Sequence, residues 1–340
     1  MNTDINKIIN NLLSPLSLKH RKIINSRFGL NTSFRTLQDL GDELHITRER
    51  VRQIENTSIK KIKKFIQENG KKLELVDFAS AHLLNVGGVK EDSAFLNDII
   101  FSLHLNPRIP FLPNKIKFIL LMYEKPFYQE ETDEMHAYWY SSLKAREEFL
   151  NFVQQMNHFL KNNKKELILK NKLYFGQIKN LAQCNFLSIP KYFGTNIFGD
   201  FGLKNWPEIT PKTIRNKVYL VLQAAQKPLH FREIAKQIFK YKLENKIPHI
   251  QTVHNELIKD NRFVLVGRGL YTLREFGFEP GTVKDILVKI LKKHGPLQKE
   301  KIVELVKSQR IVKESTILLN LQNKTYFQKL PDGSFDVKEI

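Results

Sequence analysis

Four polar side chains, Arg48, Glu49, Arg52 and Gln53, stand at positions i, i+1, i+4 and i+5 of the stretch ITRERVRQIE, so a helix there gathers them into one stripe. Their types suit recognition of base edges. Arginine grips O6 and N7 of guanine, glutamine pairs with adenine, and glutamate accepts from the amino group of cytosine. A merely solvated face would set Glu four residues before Lys and would not need Gln inside the stripe. The stripe lies near the start of the helix, the end that enters a major groove. Val51, Ile54 and Ile62 fall on the other side and are the expected packing face.

Such a stripe needs a scaffold. Thr47 is the expected cap of this helix, and the two-residue turn His45–Ile46 joins it to a shorter one, TLQDLGDEL, capped by Thr36. In that shorter helix Leu37, Leu40 and Leu44 recur at spacings of three and four, and Gly41 lets a crossing helix approach. Upstream, LSPLSLKHRKIINSRFGL reads as a helix beginning after Ser14 or Ser17, with Leu18, Ile23 and Ile24 on its apolar side and Gly29 at its end. Two short helices around a tight turn, the second strongly basic, make a helix-turn-helix.

The stretches LSLKHRKIINSRFGL and TLQDLGDELHITRERVRQIENTSIKKIKK resemble region 4 of the sigma-70 family of bacterial RNA polymerase initiation factors, over about Ser14 to Phe65. That resemblance implies that Arg48, Glu49 and Gln53 read bases of a −35-type promoter element. It also implies that Arg27, the backbone at Thr36 and Leu37, and the side chains of Arg50 and Arg52 hold phosphates. Thr57 stands where principal factors commonly carry a basic residue. The aromatic segments that melt a −10 element and the main polymerase clamp have no counterpart, so a complete initiation factor is not expected.

The charge supports a polyanionic partner. Of 340 residues, 55 are Lys or Arg and 35 are Asp or Glu, a formal net charge of +20 with a pI near 9.7. Met1 to Leu75 holds 15 basic and 8 acidic residues, Val76 to Lys204 holds 15 and 13, Asn205 to Pro280 holds 13 and 7, and Gly281 to Ile340 holds 12 and 7. A uniform lysine bias would not leave the middle balanced and the ends basic, so the ends read as electrostatic footprints.

The single cysteine, Cys184, excludes an internal disulfide or a multi-cysteine metal site, and His249 and His254, five apart, do not share a helix face. These histidines are expected at the surface or as caps. No phosphate-cradling glycine loop, nucleophile elbow or apolar run of membrane-spanning length is present. No catalytic residue, metal ligand or cofactor is assigned, and the expected setting is cytoplasmic and nucleoid-associated.

The carboxyl-terminal half repeats itself. PLHFREIAKQI from Pro228 and PLQKEKIVELV from Pro296 share one pattern, each after an amphipathic helix, and TVHNELIKDNRFVLVGRGLYTL parallels TILLNLQNKTYFQKLPDGSFDV. Each copy reads as three helices and a hairpin, a winged helix. Phe263, Leu265, Leu270 and Tyr271 flank the first hairpin turn, and Phe327 and Phe335 the second. KPLHFREIA and FVLVGRGLYTL resemble the HARE-HTH domain, a winged helix also found in the delta subunit of bacterial RNA polymerase, though the long acidic tail of delta-type proteins is absent. Lys259, ending the third helix, and Arg268, at the wing tip, are the DNA candidates here, while His254, Asn255 and Glu256 mix signs and suit a protein face equally.

The middle reads as a third, degenerate copy. VGGVKEDSAFLNDIIF matches the turn and second helix, and KIKFILLMYEKPFYQEETDEMHAYWY a third helix and a hairpin with the acidic tip Glu130, Glu131, Asp133 and Glu134. The expected fold is mainly α, a helix-turn-helix with tandem winged helices and short β-hairpin wings. The expected domains are 1–75 (helix-turn-helix), 76–185 (winged-helix-like middle), 186–205 (linker), 206–279 (HARE-HTH-like) and 280–340 (second winged helix). The expected function is sequence-specific binding of double-stranded promoter DNA in transcription, without catalysis. The alternatives are an accessory protein docked on the RNA polymerase core and the DNA-targeting module of a restriction-type system.

Overall fold

The computed structural model describes residues 4–69, 73–170 and 181–338; residues 171–180 of the expected middle domain lie outside them. The chain divides into two compact units, one from the N-terminus to Lys164 together with the stretch ending at Phe193, the other built on Gly194 onward.

In the first unit, α1 (Ile5–Leu12) starts at Asp4, whose carboxylate accepts from the Lys7 amide. Of the two candidate serines, Ser17 caps α2 (Leu18–Arg27). Ile23 and Ile24 are buried as expected, but Leu18 is 84% exposed. Leu18 precedes Ile23 by five residues, roughly 140° round the helix, and so falls on the opposite flank. Thr36 opens α3 (Leu37–Leu44) with a capping box. Its hydroxyl accepts from the Asp39 amide, and its own amide donates to the Asp39 carboxylate.

His45, in the left-handed region at φ 51°, ends α3, and the Thr47 hydroxyl accepts from the Arg50 amide to start α4 (Arg48–Asn69). A Cβ added to Gly41 would lie 2.8 Å from the Ile46 carbonyl oxygen, so a bare Cα is what permits this tight turn. Ile23, Leu40, Val51 and Ile54 form a small core, closed by Leu37, Leu44 and Ile46.

Further along α4, Ile62 joins a larger core that runs from Ile5 and Ile9 to Phe118 and Trp139. Its other walls are α5 (Glu74–Asn85), β1 (Val89–Glu91), α6 (Asp92–Ser102), α7 (Leu112–Tyr123), β2 (Phe127–Gln129) and β3 (Tyr138–Tyr140). The strands pair antiparallel in the order β1-β3-β2. This is the connectivity of a winged helix. The Trp139 indole N–H donates to Asp92 at 2.7 Å, and Lys117 bridges Asp92 and the Tyr128 hydroxyl at 2.6 Å each.

The sequence of α7, LPNKIKFILLMY, is apolar on nearly every side, and such a helix must be covered all round. It packs on α1 and α4, with the Phe118 ring edge-on to Phe28 at 4.9 Å. Polar groups finish the contact, as Lys115 donates to the Asn6 side chain at 2.8 Å and Asn114 to the Gly29 carbonyl at 3.1 Å. The acidic hairpin tip is pinned by the chain that follows α8 (Leu143–Lys170) and α9 (Leu181–Phe186). Lys191 pairs with Glu131 at 2.6 Å and donates to the Thr132 carbonyl.

In the second unit, β4 (Phe193–Thr195) and β5 (Phe201–Leu203) make a hairpin around Asn196. The Asn196 side chain accepts from the amides of Phe198 and Asp200 and donates to the Glu208 carbonyl. A winged helix follows: α10 (Ile214–Ala225), β6 (Leu229–His230), α11 (Phe231–Lys240), α12 (Ile250–Lys259), β7 (Phe263–Gly267) and β8 (Leu270–Leu273), with strand order β6-β8-β7.

The next copy comprises α13 (Val283–His294), α14 (Lys299–Lys307), α15 (Glu314–Leu321), β9 (Phe327–Lys329) and β10 (Phe335–Val337). A bridge between Leu297 and Phe335 stands where its first strand would pair. Each copy has its own core, one around Val218, Ile234, Val253 and Leu257, the other around Leu287, Ile302, Ile317 and Phe327. The fold is thus mainly helical, with winged-helix modules whose wings are short hairpins.

Candidate nucleic-acid interface

The stripe residues Arg48, Glu49, Arg52 and Gln53 all lie exposed on the first turns of α4. Val51 and Ile54, facing inward between them, fix the rotation of the helix, so the sequence pattern alone determines which side meets a ligand. Two of the stripe's arginine contacts are internal. Arg52 forks onto Glu49 with bonds of 2.8 and 2.7 Å, and Arg50 donates to the Gln53 side-chain oxygen at 3.1 Å. The bond from Arg52 holds the Glu49 carboxyl below the usual carboxylate range. Glu49 therefore stays an acceptor, and Arg48, at the first position of α4, is the cation nearest the helix N-terminus.

The residues expected at phosphates divide into three groups. Arg50 and Arg52 are exposed beside the stripe. Leu37 stands at the first position of α3, where helix amides have no intrahelical acceptor, whereas the Thr36 amide is occupied by Asp39. Arg27 sits apart from these. Its Nε donates to Glu55 at 3.0 Å and its Nη1 to the Arg35 carbonyl at 2.8 Å, with the guanidinium over the Phe34 ring. Lys60, Lys61 and Lys64 extend the exposed positive charge along α4 beyond the stripe, a role that the run KKIKK in the sequence could have signalled.

In the winged helices the corresponding third helices differ in access. The middle one, α7, is spent on α1 and α4. In α12, Lys259 is exposed at the C-terminal end, and Arg268 is exposed in the two-residue turn between β7 and β8. The mixed signs of His254, Asn255 and Glu256 resolve in space. Glu256 turns back to accept from Arg215 at 2.8 Å, His254 stacks between Phe231 and Tyr271, and Asn255 alone of the three faces solvent. Asp260, just beyond α12, is held by Arg262 at 2.7 Å.

Among the described residues, no group of three His, Cys, Asp or Glu side chains could hold a metal ion. Among the same residues, no helix is long and apolar enough to cross a membrane.

Comparison with known proteins places these modules. Residues 12–64 match the family Sigma-70, region 4, and residues 212–276 match the HARE-HTH family, described as an ASXL and restriction endonuclease HTH domain. RNA polymerase sigma factor RpoD from two strains of Helicobacter pylori is 45% identical over 65 residues, covering 18% of this chain and 10% of each relative. RNA polymerase sigma factor SigA of Clostridium acetobutylicum is 40% identical over 53 residues, 15% of this chain and 14% of the relative. The likeness thus spans about a tenth to a seventh of these sigma factors' length. No solved structure matches the chain. The helix-turn-helix that carries the Arg48–Gln53 stripe is a sigma-70 region 4 module, and the winged helix that carries Lys259 and Arg268 is a HARE-HTH module.

Proposed function

We propose that this chain is a DNA-binding transcription regulator related to sigma factors, which reads a −35-like promoter element through Arg48, Glu49 and Gln53. Arg50, Arg52 and the open N-terminus of α3 at Leu37 take phosphates on either side, and the winged helices add further DNA contacts. Phosphate neutralisation by the basic modules supplies affinity, and the stripe supplies sequence choice. The protein works by binding, without catalysis, on the nucleoid in the cytoplasm. The observation that carries this reading is the exposed Arg–Glu–Arg–Gln stripe on a region 4 helix-turn-helix, with its apolar side locked inward.

A randomised-site selection on the wild type, Arg48→Ala, Gln53→Ala and Arg50→Ala tests it. Arg48→Ala and Gln53→Ala should each relax the choice at one or two adjacent base pairs, at a cost of about 1–3 kcal/mol on the preferred site. Arg50→Ala should weaken all sequences alike. Three variants that weaken binding without altering the selected motif would reduce the helix to an electrostatic anchor.

A second reading is docking on RNA polymerase. Leu18 favours it, as a large apolar side chain left 84% exposed on the region 4 module. Co-purification of polymerase subunits that is lost in Leu18→Ser would support that reading.

A further inference from the structure

We propose that α12 is a second base-reading helix, one that selects A·T pairs through Gln251 and Asn255 acting jointly. This rests on the DNA-binding reading above and adds a site with its own sequence preference. Val253 and Leu257 are buried in the module core, which turns Gln251, Asn255 and Ile258, at i, i+4 and i+7, outward on one face. Lys259 borders that face, and Thr252 is exposed beside it.

The face carries no negative charge. Glu256 is drawn back to Arg215 and Asp260 to Arg262, so the acids that the sequence sets around Asn255 do not oppose a phosphate backbone. A surface built to meet a protein would be expected to put its apolar groups at the centre. Here two amides hold the centre, and the only charge, Lys259, is positive.

The two amides are already ordered. Gln251 Nε2 donates to Asn255 Oδ1 at 3.0 Å, which leaves Gln251 Oε1 as an outward acceptor and Asn255 Nδ2 as an outward donor. Adenine presents the complement in the major groove, an N7 acceptor beside an N6 amino donor. Guanine presents two acceptors, N7 and O6, and would set O6 against Gln251 Oε1. Ile258, 63% exposed, lies on the same side and is suited to a thymine methyl group. Lys259 and the wing residue Arg268 flank the face with positive charge, the usual place of phosphate contacts.

The test uses the full-length chain in randomised-duplex selections, comparing wild type, Arg48→Ala, Gln251→Ala, Asn255→Ala and Lys259→Ala, with thermal melting read alongside. The wild type should select two separate sequence blocks, and the A·T-containing block should survive in Arg48→Ala. Gln251→Ala and Asn255→Ala, both at exposed positions, should each lose roughly tenfold in A·T over G·C discrimination within that block while the other block stays intact. Lys259→Ala should weaken binding to every sequence alike.

The proposal is overturned if every selected block depends on Arg48, or if the A·T block persists unchanged in both amide variants; the α12 face would then belong to a protein partner. Selection of no block by the wild type would instead sink the base-reading function of the whole chain, a distinct result.

Discussion

Arg310 and Leu265 belong to different winged helices, yet Arg310 Nη1 donates to the Leu265 carbonyl at 2.9 Å. Its Nη2 reaches the carbonyls of Glu279 and Gly281 at 2.6 and 2.7 Å, and the next amide, Ile311, donates to Val266 at 2.7 Å. Arg310 is only 4% exposed, and burial pulls its pKa below the ordinary arginine value, against the opposing pull of Asp285 and Glu279. Three carbonyl dipoles, rather than a contacting carboxylate, therefore hold a buried cation. The bond closes the outer edge of β7 and couples the HARE-HTH module to the module that follows, so α12 and α15 are presented at a fixed spacing.

Arg310→Ala should cost on the order of 3 kcal/mol, because three carbonyls lose a charged donor at once in a dry contact. Arg310→Lys should recover little of it, since an ammonium cannot fork between strand and loop. Urea unfolding of the two variants checks this. A loss within experimental error for Arg310→Ala would mean that the two modules are not energetically coupled through this residue.

Phe118→Ala should cost about 3–5 kcal/mol, the range for removing a fully buried aromatic ring. The loss should reach the helix-turn-helix as well, since Phe118 packs on Phe28 and shares a core with Ile5, Ile9 and Ile62. A fragment ending near residue 70 would expose that core and should melt well below a fragment ending at Phe193. Equal melting temperatures would show that the region 4 module does not need α7.

What was legible in the sequence, and what was not, follows from the range of the forces involved. The Arg48–Gln53 stripe, the Thr36 and Thr47 caps and the Gly41 approach were readable because each is settled within one or two turns of chain. Leu18 was misplaced because a leucine in the first turn of a helix gives no signal of which flank the rest of the fold will cover. The commitment of Arg27 to Glu55, 28 residues away, and of Arg310 to Leu265, 45 away, depends on tertiary packing that no local pattern encodes. Likewise, Asn255 could be separated from Glu256 only once Arg215 was seen to draw the glutamate aside.

Acid should weaken the helix starts at Thr36 and Thr282. The Asp39 and Asp285 carboxyls each accept from the cap residue's backbone amide, and this bond is the main cause that holds both below the usual aspartate range. A depressed carboxyl stabilises the fold fully above its unfolded pKa of about 3.9, and that contribution is lost as pH falls through the lower folded value. Stability followed by circular dichroism should therefore fall as pH drops below about 4, and Asp39→Asn with Asp285→Asn should flatten that fall. An acid limb identical in the double variant and the wild type would show that these boxes do not set it.

Arg27 and Arg50 are both expected at phosphates, but their surroundings set them apart. Arg50 is exposed on α4, and its contact to Gln53 is one that a phosphate can replace. Arg27 already spends its Nε on Glu55 and its Nη1 on the Arg35 carbonyl, with little side-chain exposure in the ion pair. Removing it leaves the Glu55 carboxylate without its partner, so Arg27→Ala should cost about 1–3 kcal/mol of stability. Arg50→Ala should leave stability nearly unchanged. In DNA titrations over a salt series, Arg50→Ala should lower the magnitude of the log-affinity slope by about 1, the signature of one lost phosphate contact. Arg27→Ala, measured where it is fully folded, should keep the wild-type slope. A slope reduced equally by both variants would show that Arg27 leaves Glu55 to reach DNA, and that the ion pair between α2 and α4 is a resting contact of the free protein.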